Sequence, residues 1–252
     1  MTNPRTRFTT ILACLAVAVA AHAKVSETIS RTYPFNADGV ISLSNINGEV
    51  EIIAWDRHEV SLEAEKIASH QEGLQRMTIL IEHTPALLVI KTELEKKWKF
   101  WRTARTEVRY KLRVPAGASL QKVGVVNSRI IVRGVRGFVN LDSINGSIIA
   151  DGLATGGRFD TINGSITVSF AALDASSRVV LDTVNGSCTV KFPESTAFSL
   201  AADTINGSIT CEFPLTITKK SRRTLRGDVN GGGPRVVLDA VNGNLNVRRT
   251  SS

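Results

Sequence analysis

Five aspartates recur at one fixed place in a repeated phrase. Asp142, Asp160, Asp182, Asp203 and Asp239 each stand three residues before an Asn-Gly pair. If copies of the phrase stack, these carboxylates form a column with a step of about 4.8 Å, the spacing of hydrogen-bonded strands. Like charges that close resist joint ionisation. Such a column could hold Ca2+, which takes oxygen ligands, with Asp142, Asp160, Asp182 and Asp203 as the candidates. Alternatively, Asp160 with Asp182, or Asp182 with Asp203, could serve as general acid and base on a polysaccharide. The plainer role is structural: each Asp accepts backbone N–H bonds at its corner, as in an Asx turn. The plainer role is preferred. The column is too regular for a catalytic site, and it lacks the glycine-rich nonapeptide spacing of calcium β-rolls.

The second constellation is Lys96-Lys97-Trp98-Lys99-Phe100-Trp101-Arg102, an aromatic and basic cluster between two strand candidates. Tryptophan anchors interfaces, and basic side chains favour anionic surfaces. The cluster is therefore the predicted contact with a partner, against the alternative that its tryptophans only cover the end of the fold. A second basic run, Lys219-Lys220-Ser221-Arg222-Arg223 with Arg226, reads as a solvated loop inserted between repeats. His58, His70 and His83 fit no metal spacing, and the chain holds no phosphate loop, G-x-S-x-G elbow or C-x-x-C pair. No cofactor is implied, and the chain reads as a non-enzyme.

The elements that position these residues are set by the repeat. Asn127, Asn145, Asn163, Asn185, Asn206 and Asn242 are separated by 18, 18, 22, 21 and 36 residues, with an outlying copy at Asn47. The last gap reads as two repeats, with a degenerate copy at Asp228-Val229-Asn230-Gly231. Three residues past Asn come Val50, Ile130, Ile148, Ile166, Cys188, Ile209 and Leu245; five past come Ile52, Val132, Ala150, Val168, Val190, Cys211 and Val247. Period-2 alternation of this kind marks strands with one face buried. Phe170, Phe192 and Phe213 continue that inward face.

The pairs Asn145-Gly146, Asn163-Gly164, Asn185-Gly186, Asn206-Gly207 and Asn242-Gly243 are structural corners, with Gly supplying conformational freedom. In-register stacking, with the asparagines sharing amide bonds as a ladder, is favoured over a meander of antiparallel hairpins. The predicted fold is all-β: a β-helix-like solenoid of Asn-Gly repeats over residues 121–252, behind a β-rich N-terminal cap over residues 24–120. A solenoid needs such a cap. Stacked in chain order, Cys188 and Cys211 would lie about 8 Å apart, beyond disulfide reach.

Residues 1–23 read as a signal peptide: Arg5 and Arg7, an apolar run from Phe8 to Ala21, then Ala21-His22-Ala23. A retained membrane anchor and a lipoprotein modified at Cys14 are the lesser readings. Cleavage would leave 229 of the 252 residues and, with two arginines removed, lower the formal charge from +8 to +6. The mature chain has no further segment able to span a bilayer as a helix. Export to the periplasm or cell surface argues against nucleic acid and for an envelope protein or an anionic glycan or lipid as partner. Self-association through the solenoid ends is a further reading.

Four motifs together resemble a known group: Ile46-Asn47-Gly48 with Trp55, Val114-Pro115-Ala116-Gly117, Gly134-Val135-Arg136-Gly137, and the serial Asn-Gly-Ser repeats. This combination resembles the bacterial "putative adhesin" β-strand-repeat family, most of whose members have no assigned function. The resemblance spans nearly the whole mature chain. It implies a β-helix-like envelope protein and carries over no catalytic residue.

Overall fold

The computed structural model describes residues 24–95 and 105–250. Apart from one five-residue helix, its elements are strands. The chain opens with β1 (Val25–Pro34), β2 (Val40–Trp55), β3 (Glu59–Ala68), helix α1 (Gln71–Gln75), β4 (Met77–Thr84), β5 (Leu87–Leu94) and β6 (Thr106–Pro115). The long strand β7 (Ser119–Arg133) leads into short strands that meet two by two at the Asn-Gly corners. These are β8 (Val139–Asn145) with β9 (Ile148–Leu153), β10 (Gly157–Asn163) with β11 (Ile166–Phe170), β12 (Arg178–Asn185) with β13 (Cys188–Phe192), and β14 (Phe198–Asn206) with β15 (Ile209–Cys211). A hairpin follows, β16 (Thr216–Lys220) and β17 (Thr224–Val229), before the last corner pair, β18 (Arg235–Asn242) and β19 (Leu245–Arg249).

Each corner joins two layers. Strands before the corner pair with one another, as do strands after it; every such pairing is parallel, and all are in register but that of β11 with β9, which slips by one residue between Val168 and Phe170. Asn145 stands beside Asn163, Asn163 beside Asn185, Asn185 beside Asn242, and Asn242 beside Asn206. The sheet stays open. Strand β7 runs through its corner and pairs with both β8 and β9. Strand β2 does the same against β7, with Asn47 opposite Asn127. Beyond β2 the two layers separate: β5 and β4 extend one, while β6, β3 and β1 extend the other.

Alternation explains the core. In β11 and β13 every second residue is buried, and Ile148, Ile166, Cys188 and Leu245 from one layer meet Leu141, Phe159, Leu181 and Leu238 from the other, all fully buried. The inward phenylalanines touch in a row. Phe170 stacks on Phe192 at 5.3 Å between ring centres, Phe192 meets Phe198 at 4.8 Å, and Phe213 stands edge-on to Phe198 at 5.4 Å. Burying each such ring contributes about 1.5–3 kcal/mol.

The stack departs from chain order. The final repeat, β18 and β19, inserts between the Asn185 and Asn206 repeats. The 36-residue gap therefore hides no rung. Asp228 and Val229 end β17, which runs antiparallel to β14, and Asn230 turns the chain in the left-handed region at φ 49°. The basic run expected as a loop is instead the β16–β17 hairpin. Like residues explain the insertion. Arg178-Val179-Val180-Leu181-Asp182 meets Arg235-Val236-Val237-Leu238-Asp239 residue for residue. The inserted strand also separates the cysteines. Cys188 and Cys211 lie on opposite sides of β19, at Leu245 and Val247, and both thiols are free.

Candidate functional site

The corners hold the site rigid by three columns of contacts. The first is the asparagine ladder. Each Nδ2 donates to the Oδ1 of the next asparagine, through Asn206, Asn242, Asn185, Asn163, Asn145, Asn127 and Asn47, at 2.8–2.9 Å. Asn47 closes the series by donating to the Thr106 carbonyl at 3.1 Å. The second column is buried hydroxyls two residues before Asn. Thr161, Thr183 and Thr204 each donate to the carbonyl of a neighbouring corner glycine at 3.1 Å, namely Gly146, Gly164 and Gly243. The third column is glycine itself. A Cβ on Gly146, Gly164, Gly186, Gly207 or Gly243 would overlap the carbonyl oxygen of the adjacent rung. Of these five only Gly186 has positive φ. The corner thus requires glycine chiefly for close approach, not for the turning freedom expected from sequence.

The outward face of the layer before the corners carries the site. Alternation turns residues three and one before Asn to this side. The first position is the Asp column. The second is a column of exposed β-branched residues: Ile144, Ile162, Val184, Val241 and Ile205, between 37% and 54% exposed. Sequence reasoning missed this column, although it repeats as faithfully as the Asp residues. Its signal was available, because strict alternation around a buried position −2 places −1 outside with −3.

The first three members of each column line an open groove of about 580 Å3. Its floor and walls include Asp142, Asp160, Asp182, Ile144, Ile162 and Val184, and its far side is Ser44, Asn45, Ile46 and Thr92. The carboxylates are not corner acceptors. They sit within strands, and among the described residues no backbone N–H donates to them, which corrects the Asx-turn expectation. Asp160 is instead held by Arg158, whose Nε and Nη2 donate at 2.6 and 3.0 Å. Asp203 lies apart from the groove and accepts from Thr224 at 2.6 Å and Arg226 at 3.2 Å.

Partial burial pushes the Asp160 carboxyl above its ordinary range, and the Arg158 guanidinium only partly offsets this. Burial and then the Asp160 charge do the same to Asp182. Asp239 is raised by burial, then by Asp182 and Asp203. The pair Asp182 and Asp203 is not adjacent, because Asp239 stands between them. Asp160 and Asp182 are adjacent, but both move in one direction for one main cause. An acid and base working together need environments that push their pKa values apart. Among the described residues no three His, Cys, Asp or Glu side chains gather as a metal site. Burial also pushes the Cys188 thiol up to about 12, as suits a core residue.

Lys96, Lys97, Trp98, Lys99, Phe100, Trp101 and Arg102 lie outside the described residues. The described chain leaves at Glu95, three residues past the groove residue Thr92, and resumes at Arg105. Trp55 is placed: its Nε1 donates to the Glu59 carbonyl at 2.8 Å, and Arg57 covers its ring at 5.0 Å. Among the described residues no helix is long and apolar enough to cross a membrane.

No family model matches the chain, and no curated protein matches it. Solved structures do. A "putative cell adhesion protein" from Clostridium sporogenes is 13% identical with a TM-score of 0.46, covering 90% of this chain and 100% of its own. A "putative adhesin" from Bacteroides fragilis is 12% identical with a TM-score of 0.36, over 89% of this chain and 97% of its own. Another, from Parabacteroides distasonis, is 13% identical with a TM-score of 0.36, over 90% and 97%. All three carry the adhesion name that the motif resemblance implies.

Proposed function

We propose that the chain is a two-layered β-solenoid exported to the bacterial envelope, where it works as a non-enzymatic binding module. Its contact is the groove beside the Asp and Ile/Val columns. One observation carries this reading: a row of exposed β-branched side chains runs beside a column of carboxylates, of which Asp142 and Asp182 line the groove with no ion pair among the described residues. Contiguous exposed apolar patches on soluble proteins mark interaction sites. The carboxylates disfavour an anionic polymer in the groove and favour a protein segment bearing apolar and cationic side chains. The aromatic and basic residues Lys96–Arg102 remain a proposed separate contact, for anionic envelope material.

Binding of the chain from Lys24 onward to isolated envelope protein tests the groove. Ile162→Ser/Val184→Ser and Asp160→Asn/Asp182→Asn are compared with wild type and with Trp98→Ala/Trp101→Ala. Loss of saturable binding in both groove variants, at unchanged thermal midpoint, is the expected result. Binding that survives both groove variants and fails only in the tryptophan variant would overturn the groove in favour of the aromatic segment.

A further inference from the structure

The last-stacked end of the molecule carries a second surface, independent of the groove. The 12 residues Thr216–Gly227 include Lys219, Lys220, Arg222, Arg223 and Arg226 and no acid. They form β16, a turn closed by the Ser221 N–H donating to the Thr224 carbonyl at 2.8 Å, and β17. Strand β17 is seated on β14, but β16 is the outermost strand, and all five of its residues are exposed. Lys219 stands directly across from Arg226 in the register. Like charges facing each other across strands are destabilising. Arg226 is balanced by Asp203 at 3.2 Å. Among the described residues no carboxylate forms an ion pair with Lys219, Lys220, Arg222 or Arg223. Lysine on an edge strand guards against sheet-to-sheet pairing. That accounts for β16 but not for two arginines placed at the turn.

We infer that this hairpin docks on a membrane surface presenting anionic phosphate headgroups. Strand β16 is an outer edge with residues of both faces exposed, so its cations are not confined to one side. A linear polymer lying on a flat face would engage one side only, whereas an edge strand entering a headgroup layer meets it on both. Ile217, 49% exposed on the same strand, supplies an apolar contact at that depth. Each basic residue near an anionic leaflet strengthens attachment by about fivefold, within a Debye length.

The test is co-sedimentation of the chain from Lys24 onward with vesicles of phosphatidylglycerol and phosphatidylcholine, against phosphatidylcholine alone. Wild type should bind only the anionic vesicles. Lys219→Ser/Lys220→Ser/Arg222→Ser/Arg223→Ser should lower the partition coefficient by roughly two orders of magnitude or more. Ile217→Ser should lower it a few-fold, and the groove variant Ile162→Ser/Val184→Ser should leave it unchanged. The turn pair Arg222→Ser/Arg223→Ser, which removes no packed side chain, gives the same answer if the fourfold variant fails to fold. Absent binding to anionic vesicles, or binding that ignores these cations, overturns the inference. So does equal binding to soluble polyphosphate that is indifferent to Ile217, which would make the partner a polyanion and not a membrane.

Discussion

The two layers of the stack obey one alternation rule and differ in what they turn outward. Before the corners, the outward positions hold aspartate and exposed Ile or Val. After the corners, the matching outward positions are mostly polar: Thr167, Thr189, Asn246 and Thr210, then Ser169, Lys191, Arg248 and Glu212. Both layers reach the same buried core and the same in-register pairing, so the apolar column is no requirement of the architecture. It adds exposed apolar area to one face and is largely missing from the other, as the proposed contact surface requires. The ladder and the hydroxyl column, by contrast, sit at the corner shared by both layers and belong to stability.

Breaking the shared corner should have the largest effect. In Gly164→Ala the new methyl overlaps the Gly146 carbonyl, and the backbone on both sides is fixed by pairing. A loss of about 3 kcal/mol or more is expected in urea unfolding. Gly124→Ala, where a Cβ meets nothing within 4 Å, should fall within about 0.5 kcal/mol of wild type. Asn163→Ala comes next. It removes one donated and one accepted ladder bond, at 2.8 and 2.9 Å, and should cost about 1–2 kcal/mol.

The outward carboxylates respond to pH in a direction that the fold dictates. The folded-state pKa values of Asp160, Asp182 and Asp239 lie above the ordinary value, so the folded chain binds these protons more tightly than the unfolded chain. Stability from these groups therefore rises as pH falls through their folded pKa values toward the unfolded value of about 3.9, and is lost as pH rises again. Asp182→Asn should flatten this part of the urea-midpoint profile. A steeper profile in the variant would contradict the assignment. The smallest expected effect is a gain. Ala240 fills the one corner copy from Ser143 onward that lacks the buried hydroxyl, beside Thr183 and Thr204. Ala240→Thr should donate to the Gly186 carbonyl and add about 1 kcal/mol, read as a raised thermal midpoint.

Much of this was legible in the residues themselves. Residues three and five past each Asn announced the inward face, and the recurrence of Asn announced the ladder, because both depend only on local alternation and like-on-like register. The order of the rungs was harder to see. Chain order suggested that the Asn206 repeat follows the Asn185 repeat, yet the nearly identical segments Arg178–Gly186 and Arg235–Gly243 pointed to each other as neighbours. The site was less legible than the fold. Aspartate draws attention as chemistry, whereas Ile144, Ile162 and Val184 resemble core residues until the pleat shows them outside. An Asn-Gly pair points to conformational freedom, because the approach of a neighbouring carbonyl is a tertiary fact that no dipeptide displays.

The most direct measurement is thiol footprinting of the two outward faces. In a Cys211→Ser background of the chain from Lys24 onward, which lacks Cys14 and leaves only the fully buried Cys188, single cysteines replace Ile162 or Val184 on one face and Thr167 or Thr189 on the other. Each is exposed to a water-soluble maleimide with and without saturating envelope protein. Bound material should shield the cysteines at 162 and 184 and leave those at 167 and 189 reactive. Equal shielding of both faces, or shielding of 167 and 189 alone, would contradict it.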